Sequence, residues 1–357
     1  MKKINFLFLL VAALVLASCN QTKKEPTAEG VIIPADTADK TNDFYDNAET
    51  FALKGNRNIE VAGEVANPGI VDFSKMTKRS VIVKETIYKA PADSFYGAYR
   101  YDGYSVYDIL NQIVLKKKNE EAFPPIIDLF VEIENDKGEK VVLSWGEIYY
   151  PIHRHEIIIA TDVMRIVPSK TKELWTLPEN TRLVVGSDLV TARNISNPVK
   201  ISVVSYPMND ISIQKGLKPL YSPEFRITDG KVDCEVIKSL PADMIQQNYP
   251  AIFYGRGKGI HSTQPFKGVM MKDILIKDFS LSMDRLQKGL IVAVAKDGYR
   301  CVYSYSEVMN RNDQAELLLV AAGREEKDDA VFKLFPAMDF FSDRAVKALT
   351  EIRCVTR

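Results

Sequence analysis

The sequence predicts an α+β fold built as two tandem copies of one mixed β-sheet unit with short helices. Three observations lead there. The same blocks of residues occur twice in the same order. Apolar runs of strand length outnumber helical patterns. The composition, 46% hydrophobic and 26% charged over 357 residues, is that of a globular chain with enough apolar surface for cores.

The chain opens with Met1-Lys2-Lys3, and residues 4–17 are almost wholly apolar. That run is shorter than the roughly 20 residues a spanning helix needs. It ends in Leu16-Ala17-Ser18-Cys19. A basic start, a short apolar run and small residues at a cut site describe a secretory signal peptide over residues 1–18. The cysteine directly after the small pair resembles the lipobox of bacterial lipoproteins. The resemblance implies cleavage before Cys19 and acylation of its sulfur, as by palmitate. Acyl chains contribute about 0.8 kcal/mol per buried methylene, so several together hold a protein on a membrane. Asn20 stands where Asp would signal inner-membrane retention, so the expected location is the outer membrane, facing the periplasm or the cell surface. Residues 19–52 are polar, contain Pro26 and Pro34, and read as a flexible tether.

Two units follow, residues 53–207 and 220–357, with a linker between them. Gly103, Asp108, Ile109 and Leu110 recur as Gly268, Asp273, Ile274 and Leu275, each set opening a short helix with one buried face. Leu129-Phe130-Val131-Glu132-Ile133 matches Leu290-Ile291-Val292-Ala293-Val294. Each leads through a glycine turn into a second strand, so both read as β-hairpins. Glu147-Ile148 and Glu307-Val308 then begin matching segments. Ile157-Ile158-Ile159-Ala160 matches Leu317-Leu318-Leu319-Val320, and Asp188 and Arg193 match Asp339 and Arg344.

This order of elements resembles the molybdopterin-binding domain of the sulfite oxidase family. Gly63-Glu64-Val65-Ala66-Asn67-Pro68-Gly69 fits that family's opening turn, Asp297-Gly298-Tyr299 its hairpin turn, and Arg193 and Arg344 its late arginine. The resemblance implies a molybdenum cofactor held by a cysteine thiolate just past an early strand. The matching stretch here, residues 81–86, has no cysteine, and residues 53–206 contain none. Cys234 is poorly spaced for that role, and Cys301 and Cys354 alternate with apolar strand residues and read as core. The expectation is therefore no bound cofactor. The runner-up is an active molybdopterin oxidoreductase with an atypical ligand set.

Other candidates are few. Tyr254-Gly255-Arg256-Gly257-Lys258-Gly259-Ile260-His261 combines close backbone approach with cationic donors and suits a small anion, although it is neither a P-loop nor a dinucleotide fingerprint. Gly255, Arg256, Gly257, Lys258 and His261 are the candidate binding residues there. Arg100 and Tyr101 are candidates within a tyrosine cluster that suits a binding surface or a strand core equally. His153-Arg154-His155 reads as a solvated loop, because two histidines without a spaced carboxylate or cysteine do not close a zinc site. No nucleophile–base arrangement assembles.

Lys and Arg total 47 against 47 Asp and Glu, which excludes a nucleic-acid binder working by bulk charge. Four cysteines are too few for a disulfide scaffold. The expected function is a membrane-anchored, non-catalytic module that binds a small anion or a protein partner. A purely structural or assembly lipoprotein is the third alternative.

Overall fold

A computed structural model describes residues 49–89, 93–168, 170–208, 210–257, 259–313, 317–321 and 332–357. Cys19, the signal peptide and most of the tether lie outside the described residues, as does Lys258. All described residues belong to one compact unit, Asn47–Arg357.

The fold is mixed and rich in strand. In the N-terminal half, β1 (Thr50–Ala52), β4 (Arg79–Ile87), β5 (Ser94–Ser105), β8 (Ile157–Arg165) and β9 (Arg182–Val185) form one sheet. The order is β1-β8-β5-β4, with β9 also on β8. β2 (Glu60–Gly63), β3 (Gly69–Ile70), β6 (Leu129–Asn135), β7 (Lys140–Ser144) and β10 (Pro198–Ser205) form a second sheet, in the order β3-β2-β10-β6-β7. The expected tether thus stops short of residue 52, because residues 50–52 pair antiparallel with β8.

The C-terminal half repeats the strand order of the second of these sheets. β11 (Phe225–Thr228), β12 (Asp233–Ile237), β17 (Gly289–Ala295), β18 (Arg300–Ser304) and β21 (Leu349–Thr356) lie in the order β12-β11-β21-β17-β18. β13 (Gln247–Tyr249), β16 (Phe266–Met270), β19 (Leu317–Ala321) and β20 (Phe332–Pro336) form the other sheet. In each of the two five-stranded sheets sharing this order, the earliest and latest strands in the chain run parallel, β2 with β10 and β11 with β21. β14 (Phe253–Gly255) and β15 (Gly259–Ser262) make a separate hairpin with no counterpart among the described residues of the first half.

Short helices sit at the strand junctions: α1 (Val106–Leu110), α2 (Trp145–Tyr149), α3 (Met271–Leu275), α4 (Met283–Lys288) and α5 (Tyr305–Met309). Ile109-Leu110 and Ile274-Leu275 are their buried anchors in α1 and α3. The glycine before each has a steric reason. A Cβ on Gly103 would come within 2.1 Å of the Ile159 carbonyl oxygen, and one on Gly268 within 2.4 Å of that of Leu319. The hairpin turns place Gly138 and Gly298 at φ +78°, a region that costs other residues strain.

The β6–β7 and β17–β18 hairpins are apolar on both faces because both faces are covered. One face, with Val131, Ile133, Ile291 and Ala293, joins a core that runs through both halves. The other, with Phe130, Val142, Leu290, Val292 and Val302, packs the two sheets against each other. Met208 from the expected linker is buried in that layer, and the Gln214 N–H donates to the Asp297 carbonyl at 2.7 Å.

Candidate functional site

α2 and α5 start alike. Ser144 accepts from the Glu147 N–H at 2.8 Å while Glu147 accepts from the Ser144 N–H at 2.7 Å. Ser304 and Glu307 do the same at 3.0 and 3.1 Å. These are capping boxes, which satisfy helix N-terminal donors reciprocally. Both then reach across to the opposite half. Ser144 Oγ donates to Glu307, and Arg193 Nη1 donates to Ser304 Oγ at 3.1 Å.

Two buried arginines complete this layer. Arg193 forks Asp188 at 2.9 and 2.7 Å and Glu147 at 2.9 and 3.0 Å. Arg344 forks Asp339 at 2.7 Å through both nitrogens and donates to Glu307. Four carboxylates thus share two guanidiniums, out of water. Burial raises the pKa of Glu147 and Asp188, and it raises that of Asp339 to about 6. Burial works against the charge on Arg193 too, but Asp188 and Glu147 outweigh it and keep the guanidinium protonated.

Main-chain bridges cross the same seam in both directions. The Ile152 N–H donates to the Met338 carbonyl at 3.0 Å, and the Phe340 N–H to that of Tyr150 at 2.8 Å. Reciprocally, the Asn312 N–H donates to Ser187 at 3.0 Å, and the Leu189 N–H to Asn310 at 2.8 Å. Pro151 faces Asp339, and Asp188 faces Arg311. The pattern is that of a two-fold interface, each patch contacting its counterpart, carried here within one chain.

A narrow cleft of only about 20 Å³ lies on this seam, and beside it a shallow outer mouth of about 580 Å³ opens to solvent between Ile152, residues 153–156 and Phe340. The walls of the narrow cleft include Tyr107, His153, Arg154, His155, Glu156 and Arg311, with Met338 opposite. The loop of residues 153–156 is fixed by His155, which adopts φ +73°. Its Nδ1 lies 3.1 Å from Ser105 Oγ and 3.5 Å from the Asp108 carboxylate. Burial lowers the His155 pKa against the pull of Asp108. Arg154 Nη1 donates to the Tyr107 hydroxyl at 2.8 Å. Burial, with Asp313 nearby, raises the Glu156 pKa. Arg311 forks Asp313, with Nε at 2.8 Å.

The residues singled out from sequence fall in several places. Tyr101 is fully buried and its hydroxyl donates to Glu85 at 2.9 Å, so it is a core residue and offers no binding surface. Arg100 pairs with Asp102 at 3.0 Å on the neighbouring sheet position. Arg256 forks Asp343 at 3.0 and 3.1 Å and reaches the Tyr150 hydroxyl at 3.3 Å, so its charge is already paired. Gly255 is buried, Gly257 is exposed, and His261 is exposed with its ring 5.3 Å from that of Phe253. His153, Arg154 and His155 form a solvent-facing loop as expected, with His153 and Arg154 exposed, and that loop also lines the cleft. Among the described residues, no group of three or more His, Cys, Asp or Glu is placed to hold a metal.

One signal was available in the sequence. The segment 150–157, Tyr-Pro-Ile-His-Arg-His-Glu-Ile, aligns without a gap on 310–317, Asn-Arg-Asn-Asp-Gln-Ala-Glu-Leu. Only the last two positions agree, Glu156-Ile157 with Glu316-Leu317, and the His-Arg-His run of the first half meets Asp-Gln-Ala in the second. Arg311, Ser187 and Met338 carried no signal of their own.

The molybdenum cofactor implied by the resemblance does not fit these residues. Cys301 and Cys354 are buried on β18 and β21, and burial pushes both thiols up, away from thiolate. Cys234 is exposed on the outer strand β12, and its thiol is also raised, by burial and by Asp229. At the early strand, residue 85 is a glutamate held by Tyr101 and by Arg182 at 3.3 Å. None of the three thiols lines the seam cleft. Compared with known proteins, the chain matches no family model and no curated protein sequence.

Proposed function

We propose that this chain is a lipid-anchored extracytoplasmic binding module without molybdenum catalysis. Its two halves are copies of one sulfite-oxidase-like unit, fused so that their seam forms the binding cleft. The equal strand order of one sheet in each half and the reciprocal seam support a common origin. The anchor rests on Leu16-Ala17-Ser18-Cys19, which attaches the chain to the outer membrane through acylated Cys19. The ligand is a small anion, and the balanced net charge argues against nucleic acid.

The observation that carries the non-catalytic reading is the placement of the thiols. Molybdenum in this family needs a soft, exposed thiolate inside the pocket. Here Cys301 and Cys354 are buried in strands, Cys354 at the wall of a small pocket with Arg285 and Tyr305, and Cys234 lies on an edge strand. The test is elemental analysis of protein purified from cells that make the molybdenum cofactor. Molybdenum far below one atom per chain is expected. One atom per chain would favour the runner-up, a molybdopterin oxidoreductase with an atypical ligand set.

A further inference from the structure

We propose that the shallow outer mouth of the seam cleft binds one small organic carboxylate that carries an apolar body, with Arg154 taking the carboxylate and Phe340 and Ile152 covering the body. This rests on reading the chain as a binding module and names the chemistry of its ligand.

Arg154 is the first reason. Around the seam, Arg193, Arg344, Arg311, Arg256 and Arg79 each pair with a carboxylate. Among the described residues no carboxylate pairs with Arg154, whose recorded partner is the neutral Tyr107 hydroxyl. Its guanidinium carbon also lies 5.1 Å from the centre of the Tyr107 ring. That ring is held in turn against His155 at 5.2 Å and Tyr149 at 5.1 Å. The cation is thus positioned before any ligand arrives, which lowers the ordering cost of binding.

The second reason is the apolar pair beside it. Ile152 and Phe340 are 59% and 47% exposed, and the two come together at the cleft's outer mouth beside His153 and Arg154. Their backbones are tied by the cross-seam bonds of residues 152 and 340, so this apolar pair is fixed as well.

Each simpler ligand leaves part of this equipment unused. An inorganic anion would leave Ile152 and Phe340 bare. A neutral apolar molecule would leave Arg154 without a counter-charge. A polyanion would set further negative charge beside Glu156, which lines the same mouth. A monocarboxylate with an aliphatic or aromatic body satisfies all three. The second half carries Asp313, Gln314 and Ala315 where the first has His153, Arg154 and His155, so one site per chain follows.

Calorimetric titration of the mature chain carrying Cys19→Ser, which removes competing acyl chains, tests this. The probes are 3-phenylpropionate, hexanoate, 3-phenylpropionamide and acetate. At least one of the first two should saturate a single site, with the amide and acetate at least about tenfold weaker, the scale of one lost charge-assisted hydrogen bond. Arg154→Gln, the residue found at the matching position of the second half, should weaken the acid about tenfold and leave the amide unchanged. Its melting temperature should match the parent's, which shows that the variant folds. Equal binding of acid and amide, no effect of Arg154→Gln, or no saturation by either acid would overturn the proposal. Molybdenum analysis of the same preparation separates the two failures. A molybdenum-free protein that ignores both acids overturns the ligand class alone, whereas stoichiometric molybdenum overturns the module reading.

Discussion

Arg193 spends all five of its guanidinium hydrogens inside the protein, on Asp188, Glu147 and Ser304. Removing it leaves two buried carboxylates, Asp188 and Glu147, without the guanidinium that neutralises them. Arg193→Met should therefore cost about 3–5 kcal/mol in urea unfolding, and Arg344→Met a similar amount for the same reason. Lys75→Met, which breaks a pair with both side chains more than half exposed, should stay within about 0.5 kcal/mol. The seam also carries a pH signature. Asp339 has a folded pKa of about 6, above its ordinary 3.8, so the folded state binds this proton more tightly than the unfolded chain. Its contribution is full below about pH 4 and is lost as pH rises through about 6. The stability gap between the protein and Asp339→Asn should shrink between those limits, and a gap that widens with pH would contradict the assignment. Four carboxylates around two guanidiniums titrate as a group, so the gap reports the seam and not Asp339 alone.

At the scale of elements, much was legible because it is local. The Gly-x-x-x-x-Asp-Ile-Leu blocks became α1 and α3, and the double-faced apolar runs became the two hairpins. Local sterics also make these positions strict. Gly268→Ala would drive a Cβ into a backbone carbonyl that cannot swing aside, and should cost more than about 2 kcal/mol by thermal or urea unfolding. A variant as stable as the parent would show that β16 and β19 can separate there. The capping boxes were visible as Ser-x-x-Glu at 144–147 and 304–307. Their second role was not, because Ser144 meets Glu307 from 163 residues away. The glycine-rich segment 254–261 reads in sequence as a loop ahead of the Gly268 helix. It folds instead as the β14–β15 hairpin, because Phe253 and Tyr254 find aromatic partners at Phe335, Phe340 and Phe341. Arg256 is then drawn to Asp343 and away from an open anion site.

At the scale of the molecule, the least legible feature is the one on which the function turns. His153, Arg154 and His155 look like nothing more than a solvated loop until residues 338–340 are laid against residues 150–152. No local pattern announces a wall contributed from the other half. The linker is also less independent than its composition suggests, with Met208 buried between the sheets. The halves should consequently behave as one body even when the chain between them is broken. The direct measurement is proteolytic cleavage of the intact chain at a site introduced between the exposed residues Lys215 and Lys218, followed by size-exclusion chromatography without denaturant. A charge-locked, apolar seam predicts that both fragments elute together at the intact size. Fragments that separate, each folded by circular dichroism, would contradict the shared seam and the cleft built upon it.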